Sequence, residues 1–176
     1  MKWFIASDLH GSVVYCEKMI AAYEHEKADR LLLLGDILSS DPEASQKVAE
    51  MLNALGDNFV SVLGNCDPHT NLALLQRPPE DIFRIFPAGK GHMMFATHGH
   101  MYNSAHLPPQ MQKGDILLHG HAHTPMTERH SDFLCFNPGS IAQPRSVDIH
   151  GYMTLQDGVF LWKTLDGEKY REYPLE

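Results

Sequence analysis

Histidine is concentrated in one short stretch of the chain, HGHAH at residues 119–123. Three imidazoles alternate there with small residues. In an extended segment His121 and His123 would point the same way about 6.6 Å apart, because each residue rises roughly 3.3 Å. Neutral imidazole is a common ligand of transition metals. The spacing therefore indicates two rings at one metal pocket, while His119, placed within a strand, is expected to be buried and structural.

Other oxygen and nitrogen donors stand directly after apolar runs that are typical of buried strands. In α/β sheets the loops that leave neighbouring carboxyl ends converge at one edge, where ligands bind. Aspartate, asparagine and histidine without thiolates suit Mn, Fe, Zn or Co better than Mg or Ca, which prefer all-oxygen ligands. The candidate metal ligands are Asp8, His10, Asp36, Asn65, His98, His121 and His123.

This set of donors is larger than one tetrahedral ion needs, so it indicates two ions. If Asp36 bridges them, each ion receives four protein contacts. The ions of two-metal phosphoryl-transfer sites are about 3.5–4 Å apart, which neighbouring imidazoles can span. Two divalent cations outweigh the carboxylates of Asp8 and Asp36, and the excess positive charge favours a phosphate ester together with a hydroxide.

Patterns along the chain predict how these residues are positioned. Residues 12–27 repeat apolar side chains at helical spacing, and Asp41-Pro42 begins a second helix with a capping aspartate and a proline in the first helical position. The second half consists of short apolar runs with turn signals such as AGKG, QDG and DG between them. These patterns predict an α/β fold of two face-to-face sheets flanked by helices, in one domain over residues 1–176.

The composition is that of an ordinary globular chain. Of its 176 residues, 43% are hydrophobic and 20% charged, and no apolar run reaches the roughly 18–20 residues of a membrane-spanning helix. The formal net charge of -8, without a basic run, argues against a protein that grips long nucleic acid. Cys16, Cys66 and Cys135 form no CxxC pair and no export signal is visible, so a cytoplasmic location is expected.

Five ordered blocks of sequence resemble a known family. The chain resembles calcineurin-like metallophosphoesterases in SDLHG, LLGDI, GNCD, THGH and GHAH, and its small size and NPGS at 137–140 are similar to the YfcE-type phosphodiesterases. The resemblance implies a four-layer αββα sandwich of two mixed sheets and a phosphodiesterase in which a metal-bridging hydroxide attacks phosphorus. It implies that Asp8, His10, Asp36 and His123 bind one metal, and that Asp36, Asn65, His98 and His121 bind the other.

Three further residues are candidates for catalytic roles. Most of the family has histidine at the position of Cys66, where it protonates the leaving group. A thiol with an ordinary pKa of about 8.5 donates a proton less readily near neutral pH, so we expect a preference for diesters or good leaving groups unless Cys66 only fills space. Asp67 is expected to hydrogen-bond a neighbouring site residue or to cap a helix, and His100 to contact substrate or support the ligands.

The expected cofactors are two divalent ions, with Mn²⁺ first and Zn, Fe, Co or Ni as alternatives. The expected partner is a small phosphodiester, with no membrane and no long nucleic acid, and a homo-oligomer, dimer or tetramer, stays open. Two other functions also stay open. The retromer's small scaffold subunit shares the fold but serves as a protein-binding platform, although this chain keeps every donor position. A phosphomonoesterase or nuclease on the same metals is the other alternative.

Overall fold

Strands and helices alternate in the first part of the chain and strands dominate the rest. The computed structural model describes residues 1–79 and 81–176, and all statements below concern this part of the chain. A single turn of 3₁₀ helix, Gly56–Asn58, precedes the third strand. In chain order the elements are β1 (Trp3–Ala6), α1 (Val13–Glu26), β2 (Arg30–Leu33), α2 (Pro42–Asn53), β3 (Phe59–Ser61), α3 (His69–Leu72), β4 (Phe83–Gly89), β5 (His92–Thr97), β6 (Ile116–Leu118), β7 (Pro125–Arg129), β8 (Leu134–Pro138), β9 (Gly151–Gln156), β10 (Val159–Thr164) and β11 (Lys169–Pro174).

The strands form two mixed sheets, as the sequence predicts. The six-stranded sheet has the order β11-β10-β9-β1-β2-β3, in which β1, β2 and β3 are parallel. The five-stranded sheet has the order β4-β5-β6-β8-β7, in which β5, β6 and β8 are parallel. Each sheet therefore contains three neighbouring parallel strands whose carboxyl ends lie along one edge.

The main core lies between the two sheets. Ile5 and Leu32 of the six-stranded sheet pack in one buried cluster with Met94 and Phe136 of the five-stranded sheet. Each such side chain contributes about 1.5–3 kcal/mol when it is fully buried. Trp162 lies in the same cluster, and its indole N–H donates to the carbonyl of a β8 residue at 2.8 Å. The polar tip of the largest buried side chain thus ties the two sheets together.

Helices α1 and α2 cover the outer face of the six-stranded sheet. Ser12 caps α1 by accepting from the backbone N–H of Tyr15 at 3.4 Å. Asp41 caps α2 and Pro42 occupies its first turn, which confirms the predicted start of this helix. Both helices bury one apolar face in a second cluster, which contains Cys16 and Val48.

The outer face of the five-stranded sheet is covered differently. Phe95, Leu117 and Cys135 are buried there, and Met111 packs against them from the segment that follows β5. No helix occurs within residues 81–176. The outer layer over this sheet is therefore a loop in the described chain, and its consecutive prolines, Pro108 and Pro109, lack the N–H groups that a helix interior requires.

One strand escaped prediction from the sequence. β7 is an edge strand with the sequence PMTER, and it pairs with β8 only. Its residues are half-buried or exposed, and its two apolar residues, Pro125 and Met126, are adjacent and do not alternate with polar ones. Where the structure is described, no helix is both long enough and apolar enough to cross a membrane.

Candidate metal centre

Loops that leave five parallel strands meet at one edge of the two sheets. β1, β2 and β3 end there in one sheet, and β5 and β6 end there in the other. All of the metal ligands predicted from the sequence lie on these loops and form one continuous set of neighbours, named the donor cluster here. Its members are Asp8, His10, Asp36, Asn65, His98, His121 and His123.

Asp8, His10 and His123 form one half of the donor cluster. Nε2 of His123 lies 3.2 Å from Oδ1 of Asp8 and 3.3 Å from Nε2 of His10. Nε2 of His10 lies 4.0 Å from the same Asp8 oxygen and 3.7 Å from Oδ2 of Asp36. Ligands that are each about 2.0–2.2 Å from one ion stand roughly 3–4 Å apart. These separations therefore fit a shared cation.

The other half is formed around His98. Its Nε2 lies 2.9 Å from Oδ1 of Asn65 and 3.4 Å from Oδ2 of Asp36. The His121 ring is edge-on to the His98 ring, with centroids 5.0 Å apart. Because the same Asp36 oxygen faces both halves, Asp36 is the member of the cluster best placed to contact two ions.

Hydrogen bonds to the main chain determine which ring nitrogen faces the cluster. Nδ1 of His98 lies 2.7 Å from the carbonyl oxygen of Leu34, and Nδ1 of His123 lies 2.7 Å from that of Gln143. A carbonyl only accepts, so each Nδ1 donates and each Nε2 of a neutral ring presents a lone pair to the cluster. Buried Oδ1 of Asp8 has no hydrogen-bond partner among the described residues. The Nε2 lone pairs and the Asp8 oxygen are all hydrogen-bond acceptors that face one another, and a bound cation would give them a common partner.

The charges of the cluster favour a cation as well. Burial acts to lower the pKa of His98, but the Asp36 carboxylate outweighs it and raises that pKa. The Asp8 carboxylate, 3.2 Å from Nε2 of His123, raises the pKa of His123 against the effect of burial. Burial alone would raise the pKa of Asp36, yet His98 holds it well below its usual range. The carboxylates that raise the pKa of these two rings also attract divalent ions, which compete with protons for the same nitrogens. Burial instead lowers the pKa of His10 and of His121.

The backbone of the donor cluster is unusual. Nine non-glycine residues of the described chain have a positive φ, and five of them belong to this cluster. The left-handed conformation costs roughly 1–2 kcal/mol for a residue with a side chain. Such strain persists where surrounding structure enforces it, often at functional sites. The five residues are Asp8, His10, Asp36, His121 and His123.

The HGHAH stretch is a turn, so the predicted extended conformation is wrong. His121 and His123 have φ values of 63° and 56°, and the N–H of Ala122 donates to the carbonyl of Gly120 at 2.7 Å. The N–H of His121 donates to Oδ2 of Asp8 at 3.1 Å. Both rings reach the cluster because the turn directs them there, and not because alternate residues of a strand share a face.

The carboxylate of Asp67 binds main-chain N–H groups. Asp67 is 6% exposed, and burial raises its pKa against the lowering effect of these hydrogen bonds. The N-cap of α3 is Pro68, without a side-chain cap, so the alternative prediction that Asp67 caps a helix is wrong. Asp67 instead joins the loop after β2 to the loop after β3. Its donors are the N–H groups of Asp36 (3.1 Å), Ile37 (2.6 Å), Leu38 (3.0 Å) and Gly64 (2.9 Å).

Cys66 and His100 lie beside the donor cluster. Cys66 is exposed, and its backbone N–H donates to Oδ1 of Asp36 at 2.8 Å. Burial and the charge of Asp36 raise the pKa of the Cys66 thiol. The half-buried His100 ring lies 5.4 Å from the His98 ring, and burial lowers its pKa. The Cys66 sulfur and one potential ligand atom each of His10 and Asp36 lie within 4.8 Å of one another. Contact of Cys66 or His100 with substrate stays a prediction.

His119 is buried, as the sequence predicts, and lies one residue beyond β6. Its Nδ1 is 3.1 Å from the carbonyl oxygen of Gly120. Asn137 of β8, also buried, donates through Nδ2 to the same carbonyl at 2.8 Å. Both side chains therefore contact the HGHAH turn through the carbonyl of Gly120. Asn137, the first residue of NPGS, thus helps to position the donor cluster without belonging to it.

The loop after β8 supports the cluster through residues that sequence analysis missed. The Ser140 hydroxyl donates to the carbonyl of Asp8 at 2.9 Å and accepts from the N–H of Gln143 at 2.8 Å. Sequence alone suggests that His150 faces solvent, but it is half-buried: its ring stacks on that of Tyr15 with centroids 4.2 Å apart, and its Nδ1 lies 2.9 Å from the carbonyl oxygen of Ile141. Most of these contacts use main-chain atoms, which every residue type offers, so no motif marks them.

Known proteins are similar to this chain in sequence and in fold. The family model for the calcineurin-like phosphoesterase superfamily domain matches residues 1–157. Phosphodiesterase YfcE of Escherichia coli (strain K12) is 33% identical over 166 residues, covering 90% of this chain and 89% of YfcE. The solved structure of E. coli YfcE, a phosphoesterase, matches all of both chains with a TM-score of 0.90 and 29% identity. Vps29 from Entamoeba histolytica, solved in complex with zinc, matches with a TM-score of 0.66 and 18% identity, which shows a shared fold alone.

Proposed function

The chain belongs to the calcineurin-like phosphoesterase superfamily, and we propose that it hydrolyses small phosphodiesters at a centre of two divalent metal ions. Its likeness to phosphodiesterase YfcE supports the reaction class. The observation that carries the metal centre is the buried Oδ1 of Asp8, which faces Nε2 of His123 at 3.2 Å and has no hydrogen-bond partner in the described chain.

The donor cluster divides into two ligand sets that share one carboxylate. Oδ2 of Asp36 supports its role as the bridge, since it lies within 3.7 Å of Nε2 of His10 and 3.4 Å of Nε2 of His98. Nitrogen and oxygen donors without a thiolate suit Mn²⁺, with Zn, Fe, Co or Ni as alternatives. The sets are Asp8, His10, Asp36 and His123 for one ion, and Asp36, Asn65, His98 and His121 for the other.

When bound, two divalent ions supply positive charge for the phosphoryl oxygens and lower the pKa of the attacking water. The chain's own part is to hold the donors and to leave one side of the cluster open, where Cys66 and His100 can contact the substrate. A thiol with an ordinary pKa of about 8.5 is a weaker proton donor near neutral pH than an imidazole. Substrates that need little proton donation to the leaving group, such as aryl diesters, are therefore preferred.

Asp67 is assigned a positioning role. Its carboxylate lies behind the Asp36 loop and accepts from four main-chain N–H groups. Such contacts hold the bridging carboxylate at the correct place and leave no oxygen directed at a substrate. The free thiols of the described chain and its formal net charge of -8 support a reducing, cytoplasmic setting and a small substrate.

A hydrolysis panel tests the proposal. The substrates are a generic aryl diester, an aryl monoester and 2′,3′-cyclic nucleotides, each assayed after loading with Mn, Ni, Co, Mg or Zn. We expect the aryl diester to be hydrolysed fastest with Mn, and we expect Asp36→Asn to abolish this rate. Hydrolysis of monoesters alone would contradict the assignment to diesters.

The same panel addresses the non-catalytic alternative. A protein-binding scaffold of this fold predicts no turnover with any of the metals, even when the protein is folded and loaded. The complete donor cluster favours an enzyme, because a scaffold has no need to keep each of these side chains at the sheet edge. Turnover that is absent throughout, in protein with measured metal content, would favour the scaffold.

A further inference from the structure

A cavity lined by arginines lies beside β3, an edge strand of the six-stranded sheet. Its volume is about 120 Å³. Arg30 reaches it from β2, Arg77 from the segment after α3, and Arg84 from β4. The chain has six arginines in all, so half of them line this one cavity. The described residues that line it include no member of the donor cluster.

Two of these arginines are held in place by aromatic rings. The guanidinium carbon of Arg30 lies 6.0 Å from the ring centroid of Trp3, and that of Arg84 lies 5.7 Å from the centroid of Phe86. A guanidinium that covers a ring keeps its in-plane N–H donors for other partners. The cavity therefore combines positive charges with available hydrogen-bond donors.

Ser61 marks the strand side of the cavity. It lines the cavity from β3 and is only 3% exposed. Its side chain lies on the face of β3 that it shares with Phe59, which packs in the helix-covered cluster. The backbone amide of Ser61, and not its hydroxyl, therefore serves as the reporter of an anion bound at the arginines.

The charge and size of the cavity define the ligand. Three arginines face one described carboxylate, that of Asp57, which pairs with Arg77. The local excess of positive charge contrasts with the formal net charge of -8 for the chain. Pockets for drug-sized ligands occupy roughly 300–1,000 Å³, so this cavity suits one small ion. We propose that it binds a phosphate dianion, either free or at the end of a small phosphomonoester.

Nuclear magnetic resonance of the full chain tests this proposal. The zinc-loaded, ¹⁵N-labelled protein is titrated with inorganic phosphate and, in a separate arm, with glycerol phosphate. The amide signal of Ser61 and the side-chain Nε–Hε signals of Arg30 and Arg84 are followed. We expect saturable shifts of all three signals, and the tighter-binding arm identifies the form of phosphate that the cavity prefers. Chloride at equal ionic strength is expected to leave them unchanged.

Variants separate this cavity from the donor cluster. The double variant R30Q/R84Q is expected to weaken phosphate binding at Ser61 by about tenfold or more, since charge-assisted hydrogen bonds are lost. Arg171→Gln is the matched control, because Arg171 lies 5.6 Å over the ring of Trp162 and does not line the cavity. Phosphate shifts at the Ala122 amide, beside the donor cluster, report binding at the metals independently.

Two results would overturn the proposal. One is the absence of saturable shifts at Ser61 in the unmodified protein, a measurement that needs no variant. The other is unchanged affinity at Ser61 in a folded R30Q/R84Q protein. Neither result depends on hydrolysis, so failure of the cavity and failure of the proposed phosphodiesterase are distinguishable.

Discussion

At the scale of single residues, Cys66 and Asp67 are neighbours in the sequence but serve opposite sides of the centre. Cys66 is exposed on the open side of the donor cluster. Asp67 is buried behind the Asp36 loop and binds only main-chain N–H groups of the described chain. We therefore expect Cys66 to affect the chemistry of the leaving group and Asp67 to affect how the proposed metal ligands are held.

Cys66→His is expected to raise the hydrolysis rate of diesters with poor leaving groups by about 10- to 100-fold, because imidazole near neutral pH is a better proton donor than a thiol. Rates for good aryl leaving groups are expected to change little. The measurement is kcat across a series of diesters that differ in the leaving group's pKa. Cys66→Ser, which removes the thiol without adding an imidazole, is the control. Equal dependence on leaving-group pKa in all three proteins would show that Cys66 only fills space.

Asp67→Asn is expected to weaken metal binding by about 10- to 100-fold, as removal of a group that orients ligands usually does. The amide NH₂ would face N–H groups that need an acceptor, so stability is also expected to fall by about 1–3 kcal/mol. Metal affinity by competition with a chelator and unfolding in denaturant measure the two effects. Asp166→Asn, at an exposed position, is the control. Unchanged metal affinity in the Asp67 variant would refute the positioning role.

At the scale of elements, the strands provide a rigid edge and the loops provide the chemistry. Each donor follows the end of a parallel strand, and five of the donors have a left-handed backbone. The loops must also approach one another closely. A Cβ atom at Gly64 would overlap the backbone nitrogen and Oδ1 of Asp36. Glycine at this position is therefore required by close packing against Asp36.

Gly64→Ala tests this close approach. We expect Asp36 to be displaced, metal affinity to fall at least about tenfold, and stability to fall by about 1–3 kcal/mol from overpacking. Metal binding and thermal unfolding are the measurements. Gly91→Ala is a suitable control because Gly91 has a φ of +85° but no atom within 4 Å of an added Cβ. That variant strains the backbone without a collision, so equal loss of metal in both would argue against the steric explanation.

The hydrogen bonds of Glu26, which join the end of α1 to the six-stranded sheet, depend on pH. Glu26 at the end of α1 accepts from Lys2 Nζ and Lys163 Nζ, both at 2.6 Å, and from the Tyr152 hydroxyl at 2.8 Å. Burial would raise the pKa of Glu26, but these donors lower it to about 2. A carboxylate with a lowered pKa in the folded state stabilises the protein above its ordinary pKa. That contribution is lost as the pH falls from about 4.5 towards 2.

Glu26→Gln is therefore expected to destabilise the protein by about 1–3 kcal/mol at pH 7 and by much less near pH 2. The measurement is the free energy of unfolding in denaturant at several pH values. Glu17→Gln, at an exposed position of the same helix, is expected to have little effect throughout. A destabilisation by Glu26→Gln that does not vary with pH would contradict the account.

At the scale of the whole molecule, the sequence predicts where the donors lie better than how they are held. Asp8, Asp36 and His98 follow apolar runs, and the parallel sheet brings such positions to one edge. The turn at HGHAH was missed because a positive φ leaves no trace in the alternation of residue types. The carbonyls of Leu34 and Gln143, which orient two rings, could belong to any residue. Sequence patterns report side chains, whereas this support comes largely from the main chain.

The central claim, that the donor cluster holds two divalent ions, is tested most directly by counting and locating them. Crystals of manganese-loaded protein are measured at the manganese absorption edge, with the metal content of the same preparation determined by elemental analysis. We predict two anomalous peaks per chain, one on each side of Asp36, and loss of both in Asp36→Asn. One peak or none, in protein that still hydrolyses diesters, would contradict the account.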